Sequence, residues 1–275
     1  MVSDVDRPAF VRIEEISTNT PTVKTFYFDY PPAARAKPGQ FLMVNVLGID
    51  EIPISLSGIG DRASITVRRV GEATERLHDL GEGDVIGVRG PYGRGFSPIE
   101  EGNILIAGGG IGVAPLLPLT RQLCRMRRVK LTVVLGASTR DELLFVADME
   151  RYTLHRGTVL VATDDGSCGA KGPVTALAHK LLKRGAFDAV FTCGPEPMMK
   201  RLFEQCEGAG VPLQASLDRY MRCGIGICGS CCVGKYRVCK DGPVLSSAQL
   251  REVADEFGRF TRDACGRRTG LSSPQ

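Results

Sequence analysis

Tryptophan is absent from this 275-residue chain, histidine occurs three times, and aromatics make up only 6% of it. A face that binds nucleic acid needs aromatic rings interleaved with dense Lys and Arg. The net charge of +4 is mild and the basic residues are not clustered in that way, so no nucleic-acid partner is expected. His78, His155 and His179 sit in ordinary polar or helical contexts, and no catalytic side chain is assigned among them or elsewhere. A long apolar run is missing as well. Residues 104–119 are interrupted by Gly108, Gly109, Gly110, Gly112, Pro115 and Pro118 and fall short of the roughly 20 residues that span a bilayer, so no membrane association is expected. The opening residues Met1 to Pro8 show no apolar core followed by a small-residue cleavage site, and the chain is expected to stay in the cytoplasm. Internal repeats and low-complexity linkers are lacking, and the tail after Gly270 is expected to fray.

What the chain has in excess is cysteine, ten in all. In a reducing compartment a dense cysteine cluster holds metal or does redox chemistry rather than forming disulfides. Cys124, Cys168, Cys193, Cys206 and Cys265 are dispersed, and most are expected to pack as small apolar residues. The other five lie together, and the spacing Cys223-x4-Cys228-x2-Cys231-x7-Cys239 matches, in its first three positions, the plant-type arrangement for a 2Fe-2S cluster. Closely spaced thiolates wrap one side of such a cluster while a later cysteine closes the other. The glycines between them let the loop aim backbone N–H groups at sulfur. A zinc-binding interaction module is the alternative of another class, but zinc knuckles prefer C-x2-C pairs and have less use for the x4 gap. Cys232, adjacent to Cys231, is expected to point away and pack.

Hydropathy patterning divides the chain into three domains, 1–98, 99–212 and 213–275. In the first, short alternating segments rich in β-branched residues (10–16, 23–28, 41–46, 63–67, 85–88) are separated by turns at Pro38-Gly39, Gly58 to Gly60 and Gly81 to Gly83, which predicts an antiparallel β-barrel. In the second, buried strands alternate with helical stretches, which predicts an α/β domain around a parallel sheet. The third is short of apolar runs, rich in Cys and Gly, and small enough to need a metal staple.

Within the second domain, the strand from Ile104 opens through Gly108, Gly109, Gly110 and Gly112 into a helix. Bare glycines before a helix N-terminus let a dinucleotide diphosphate approach backbone N–H groups, although such turns also occur merely to let elements pack. A second strand end, Cys193-Gly194-Pro195, opens into another helix, and two such turns suit one ligand lying across the sheet edge. A third segment, Thr163 to Ser167, is either a polar ribose or phosphate contact or an ordinary turn.

Three pieces in this order resemble the ferredoxin-NADP reductase superfamily over nearly the whole chain, and within it the electron-transfer subunits of heteromeric dihydroorotate dehydrogenases. The resemblance rests on Pro38-Gly39-Gln40-Phe41, on Ile52 to Ser57, on Gly71 to Thr74, on Gly90-Pro91-Tyr92-Gly93 with Gly95-Phe96, and most closely on Met221 to Cys232 with Val238 to Val244. It implies that Pro53, Ile54, Ser55, Leu56 and Ser57 hold FAD, with Pro53, Ser55 and Ser57 along the isoalloxazine ring, and that Gly71, Ala73 and Thr74 hold its pyrophosphate. It places Gly108, Gly109, Gly110 and Gly112 with Cys193, Gly194 and Pro195 at NAD, the last three near the nicotinamide. It also implies Cys239 as the fourth cluster ligand beside Cys223, Cys228 and Cys231. The arginine usual before the flavin-strand proline is Ile52 here, and Arg68 and Arg69 are the nearby substitutes.

Related subunits of NAD-dependent ferredoxin reductases often begin the cluster loop with aspartate, so Cys223 favours the dihydroorotate branch. The implied activity is passage of electrons from the FMN of a catalytic partner subunit, through the 2Fe-2S cluster and FAD, to NAD+ in pyrimidine biosynthesis, in a heterotetramer of two of each chain. Arg219, Tyr220 and Arg222, read as exposed beside the ligands, mark either the docking face or plain solvated surface. The alternative within the same class is a stand-alone or hydrogenase-linked NAD(P)H-ferredoxin-type oxidoreductase. NAD is favoured over NADP by the resemblance, while Arg140 could meet a 2′-phosphate.

Overall fold

The computed structural model describes residues 6–60 and 62–271. The first five residues and residues 272–275, on which the leader and tail expectations partly fall, lie outside them.

Six strands, β1 (Ala9–Thr20), β2 (Val23–Phe28), β3 (Phe41–Val46), β4 (Asp50–Gly58), β5 (Ala63–Arg68) and β6 (Val85–Tyr92), close into an antiparallel barrel in the order β1-β2-β5-β4-β3-β6. Helix α1 (Glu72–Asp79) follows β5. The alternation read in the sequence sends Ile13, Phe26, Phe28, Leu42, Val44, Leu56, Ile65 and Ile86 into a common interior. Closure leaves no unpaired edge, because β1 bonds to β2 on one side and β6 on the other.

The chain then runs through β7 (Glu101–Gly109), α2 (Leu116–Leu123), β8 (Arg128–Ala137), α3 (Val146–Thr153), β9 (Gly157–Thr163), β10 (Ala170–Lys171), α4 (Val174–Arg184), β11 (Ala189–Cys193), α5 (Glu196–Ala209) and β12 (Leu213–Ser216). Strand β7 is central. The chain fills one side of it with β8, β9 and β10, then returns to the other side with β11 and β12, giving the order β10-β9-β8-β7-β11-β12, with a seventh strand from the C-terminal segment beyond β12. The strand order reverses between β7 and β11, the place where open α/β sheets leave a crevice.

The sheet does not end at residue 212. Beyond β12 lie β13 (Cys232–Val233), β14 (Tyr236–Arg237), α6 (Val238–Asp241), β15 (Val244–Ser246), α7 (Ser247–Glu252) and the hairpin β16 (Phe260–Arg262) and β17 (Arg268–Gly270). Strand β15 pairs antiparallel with β12, so the C-terminal segment completes the sheet's edge. Its buried residues Cys231, Val233, Val238, Cys239 and Phe257 share one core with Phe41, Met43 and Tyr92 of the barrel and with Leu105, Val134 and Val190 of the sheet. A segment too small for a core of its own thus takes one from both neighbours. Among the described residues no helix is long and apolar enough to cross a membrane.

Candidate functional site

The cysteine loop leaves β12 and folds back over the barrel. At Gly224, with φ 70°, a Cβ would stand 2.7 Å from Met43 Cγ and 3.6 Å from Tyr92, so this backbone approach needs glycine. Inside the loop the N–H groups converge on sulfur. Gly226 N donates to Cys239 Sγ at 3.1 Å, Ile227 N and Cys228 N to Cys223 Sγ at 3.3 and 3.4 Å, and Cys239 N to Cys231 Sγ at 3.4 Å.

Backbone bonds sort the four thiols into two pairs, Cys228 N donating to Cys223 Sγ and Cys239 N to Cys231 Sγ. Cys231 and Cys239 form the inner pair, each 2% exposed, while Cys223 and Cys228 form the outer one, with Cys228 open to solvent. Burial opposes the thiolate of Cys228, but hydrogen bonds from Ser230 and Cys223 outweigh it and bring the thiol down to about 6. The hydrogen bond from Cys239, against the pull of burial, likewise brings Cys231 to about 6, and Cys239, which donates it, is pushed well up. Thiolate is the form that ligates metal.

Among the described residues, no three His, Cys, Asp or Glu side chains are placed to hold a single metal ion. Two separate pairs suit a two-iron cluster, in which each iron takes two protein sulfurs, better than one tetrahedral zinc. Cys232 opens β13, and its thiol is pushed up by burial and then by Cys231, which fits packing beside the pairs rather than membership of them.

The two glycine turns meet at the switch point. Cys193 at the end of β11 lies in register with Gly108 of β7 on one side and Ser216 of β12 on the other. A Cβ on Gly112 would fall 2.4 Å from Gly194 N, and one on Gly109 2.6 Å from Met198 Sδ. Gly112 lets the two turns pack backbone to backbone, and Gly109 leaves room for the side chain of Met198 on α5. Gly110 differs, because a Cβ there would meet only the guanidinium of Arg68, reaching over from the barrel. The Cys193 thiol is pushed up to about 12 by burial, with Asp218 adding to the effect, so it stands neutral.

On the barrel, Pro53, Ile54 and Ser55 are half-buried on β4, in register with Met43, Leu42 and Phe41 of β3. Leu56 turns into the barrel interior, and the Ser57 hydroxyl is engaged with Thr66 Oγ1 at 2.8 Å and Ser64 Oγ at 3.0 Å. Those two can reach a ligand only through the backbone. Gly71, Ala73 and Thr74 form the first turn of α1, where Thr74 Oγ1 accepts from Val70 N and Gly71 N at 2.9 Å each and so caps the helix.

In the segment Thr163 to Ser167, Asp165 Oδ1 accepts from Ser167 N and Oγ, and Thr163 Oγ1 bonds Cys168 N and O. Ser167 Oγ also accepts from Arg140 N at 2.8 Å, and Asp164 N and Asp165 N donate to Ala137 O and Ser138 O, so the segment is tied to the turn after β8.

Arg219 corrects an expectation. It is not exposed: it is 4% exposed and held in a two-pronged ion pair with Glu196, the first residue of α5. Glu196 Oε1 also accepts from Gly258 N at 2.7 Å, so this pair ties the turn after β11 to the C-terminal segment. Nothing in the spacing of Glu196 and Arg219 announced it, since 23 residues separate them. Tyr220 and Arg222 are exposed as expected, and so are Ile225 and the 78% exposed Ile227 between Cys223 and Cys228 in the chain. Met43 and Arg68 were the other residues whose position only the fold revealed.

Residues 218–251 match the family described as the iron-sulfur cluster binding domain of dihydroorotate dehydrogenase B, and residues 105–203 match the oxidoreductase NAD-binding domain family. The chain is 43% identical over 270 residues to a probable dihydroorotate dehydrogenase B (NAD(+)) electron transfer subunit of Methanocaldococcus jannaschii, covering 96% of this chain and 99% of that one. It is 45% identical over 267 residues to the corresponding probable subunit of Methanocella arvoryzae, covering 95% and 98%. Among solved structures it is similar to an NADH-dependent reduced ferredoxin-NADP oxidoreductase, with a TM-score of 0.79, 31% identity and coverage of 90% and 92%. The ferredoxin reductase of carbazole 1,9a-dioxygenase, at TM-score 0.65 and 18% identity over 74% of this chain and 66% of that one, shares the fold.

Proposed function

The chain belongs to the family of dihydroorotate dehydrogenase B electron transfer subunits, and from that premise we propose that it carries electrons between a partner chain that oxidises dihydroorotate and NAD+. The observation that carries this reading is the pairing of four thiols in a loop seated on the barrel at Met43, beside a nucleotide crevice at the switch point of the sheet.

In this reading Cys223 with Cys228, and Cys231 with Cys239, hold a 2Fe-2S cluster, and the N–H groups of Gly226, Ile227, Cys228 and Cys239 offset the negative charge on its sulfurs. The half-buried strand Pro53 to Ser55, continued by the backbone of Leu56 and Ser57, holds FAD, and the first turn of α1 from Gly71 through Ala73 to Thr74 receives its diphosphate. Gly108 to Gly112 and Cys193 to Pro195 hold NAD across the crevice. Bound FAD supplies the exchange between electrons carried in pairs and electrons carried singly. The chain itself orients these groups and keeps the Cys193 thiol neutral beside the hydride site, and no side chain is required to move a proton.

The partner would be an FMN-containing catalytic subunit, in a heterotetramer of two of each chain. The exposed Tyr220, Ile225 and Ile227 of the cysteine segment suit its docking, because an exposed aliphatic pair next to a redox centre gains most from being covered.

Anaerobic co-purification with a candidate dihydroorotate-oxidising chain, followed by iron, sulfide and flavin analysis and an NAD+-reduction assay with dihydroorotate, tests the reading. Yellow-brown protein that reduces NAD+ only as the pair is the expected result. A colourless chain would overturn it in favour of a zinc module. Flavin and cluster in a chain that instead reduces ferredoxin with NADPH and no partner would favour the stand-alone reductase, the reading that likeness to the ferredoxin-NADP oxidoreductase supports.

A further inference from the structure

Helices α4 and α5 pack on the same core as β7, β8 and β11, and a groove of about 560 Å³ runs between them. From α4 it takes His179, Leu182 and Lys183, and from α5 it takes Arg201, Gln205 and Gly208. Residues spaced three or four apart share one stripe of a helix, so each set is a single lining face. The packing stripe of α5 is a different one, made of Met199, Leu202, Phe203 and Cys206. Gly208 is unfavourable inside a helix, and no positive φ calls for it. A Cβ there would meet nothing within 4 Å, so the missing side chain leaves the groove open.

The cations of this groove are unpaired. Among the described residues none of His179, Lys183 and Arg201 meets a carboxylate, since Glu204 lies 4.0 Å from Lys200 and Glu207 meets Arg251 at 2.6 Å. Lys183 stands in the last turn of α4, where a cation complements the helix dipole, but His179 and Arg201 stand mid-helix, where that explanation fails. Gln205 Oε1 is shielded from water with no hydrogen-bond partner, an unfavourable state for an amide oxygen. Leu182 and Ala209 add apolar surface.

We propose that the groove between α4 and α5 is a binding site for a nucleoside monophosphate, separate from the crevice at the switch point. Arg201, Lys183 and His179 take its phosphate, Leu182 and Ala209 take its base, and a base N–H donates to Gln205 Oε1 once the amide turns toward the groove. Three cations beside one acceptor suit a doubly charged phosphate joined to an N–H donor, whereas a carboxylate needs one cation only. The volume lies within the range of small-molecule sites, roughly 300–1,000 Å³. None of Gly108 to Gly112 or Cys193 to Pro195 lines the groove, so the proposal does not depend on the functional reading above.

Uridine monophosphate is the probe, because its base carries a single N–H, at N3, which methylation removes. Calorimetric titration of the full chain should show saturable binding of one molecule per chain. N3-methylation should weaken it about tenfold, as loss of one hydrogen bond implies, and Arg201→Gln about tenfold or more. Gln205→Leu should bind the methylated and unmethylated probes alike, without a lower melting temperature, because the atom it removes has no partner. Inorganic phosphate should bind at least about tenfold more weakly than the nucleotide, and saturating NADH should leave the nucleotide's affinity unchanged. Lack of saturable binding overturns the proposal. So does equal affinity for the methylated probe or for phosphate, retention of affinity within twofold in Arg201→Gln, or displacement by NADH, which would put the nucleotide in the crevice. If Gln205→Leu fails to fold, the methylated probe on the wild type and Arg201→Gln decide the matter without it. A chain that binds uridine monophosphate as described but no NADH would overturn the functional reading and leave this proposal standing.

Discussion

The barrel and the C-terminal segment solve the problem of burial in opposite ways. The barrel closes around an interior made of its own strands, with Phe26, Phe28, Leu42, Leu56 and Ile65 all fully buried. The C-terminal segment has short strands and short helices, and it inserts its few apolar residues into a core it shares with the barrel and the sheet. A closed barrel is stabilised from within. The cysteine segment is stabilised by what it touches and, in the proposed function, by iron–sulfur bonds, so its stability and the placement of its redox site are coupled.

That contrast can be broken by substitutions on each side of it, the largest effect coming first. Cys239→Ser should reduce iron and sulfide content by about tenfold or more and leave the C-terminal segment open to proteolysis, because it removes a proposed ligand and a core residue at once. Cys223→Ser in the outer pair should lose the same iron with a smaller drop in melting temperature. Metal analysis and limited proteolysis of the two variants check this. Phe26→Ala should cost about 3–5 kcal/mol of unfolding free energy in denaturant titration, a loss that falls on the barrel.

Met43→Ala tests the seam itself. Met43 sits on a barrel strand but belongs to the shared core, so a loss of about 2–5 kcal/mol should register as faster amide exchange around Gly224 and Cys231 rather than within the barrel. Glu196→Gln leaves the Arg219 guanidinium buried without its carboxylate and should cost about 3 kcal/mol. The double variant Glu196→Gln/Arg219→Met should recover part of that loss in thermal unfolding.

The smallest effect concerns His78, which is buried beneath the barrel with Nε2 3.0 Å from Val67 O. Burial holds its pKa below 6.5 against that hydrogen bond, with Lys24 and Arg69 adding to the lowering. The unfolded chain therefore takes up the proton more readily than the folded one. The contribution of neutral His78 is present above about pH 6.5 and is lost as pH falls through that value and below. Thermal unfolding followed from pH 7.5 to 5.5 should show this slope in the wild type and less of it in His78→Gln.

Strand and helix alternation, the cysteine spacing and the glycine turns are local patterns, and each was readable because periodicity and turn chemistry act within a few residues of chain. The barrel strands, the parallel sheet and the convergence of residues 108–112 with 193–195 at one edge accordingly match expectation. Tertiary structure alone decided which thiols pair, that β12 and β15 complete the nucleotide sheet, and that Arg219 is buried against Glu196 rather than presented to a partner. It also decided that Gly109 and Gly112 serve packing while Gly110 stays open beneath Arg68. Each of these depends on groups brought together from distant parts of the chain, where the energy of burial and charge pairing is set by three-dimensional neighbours that no local pattern encodes.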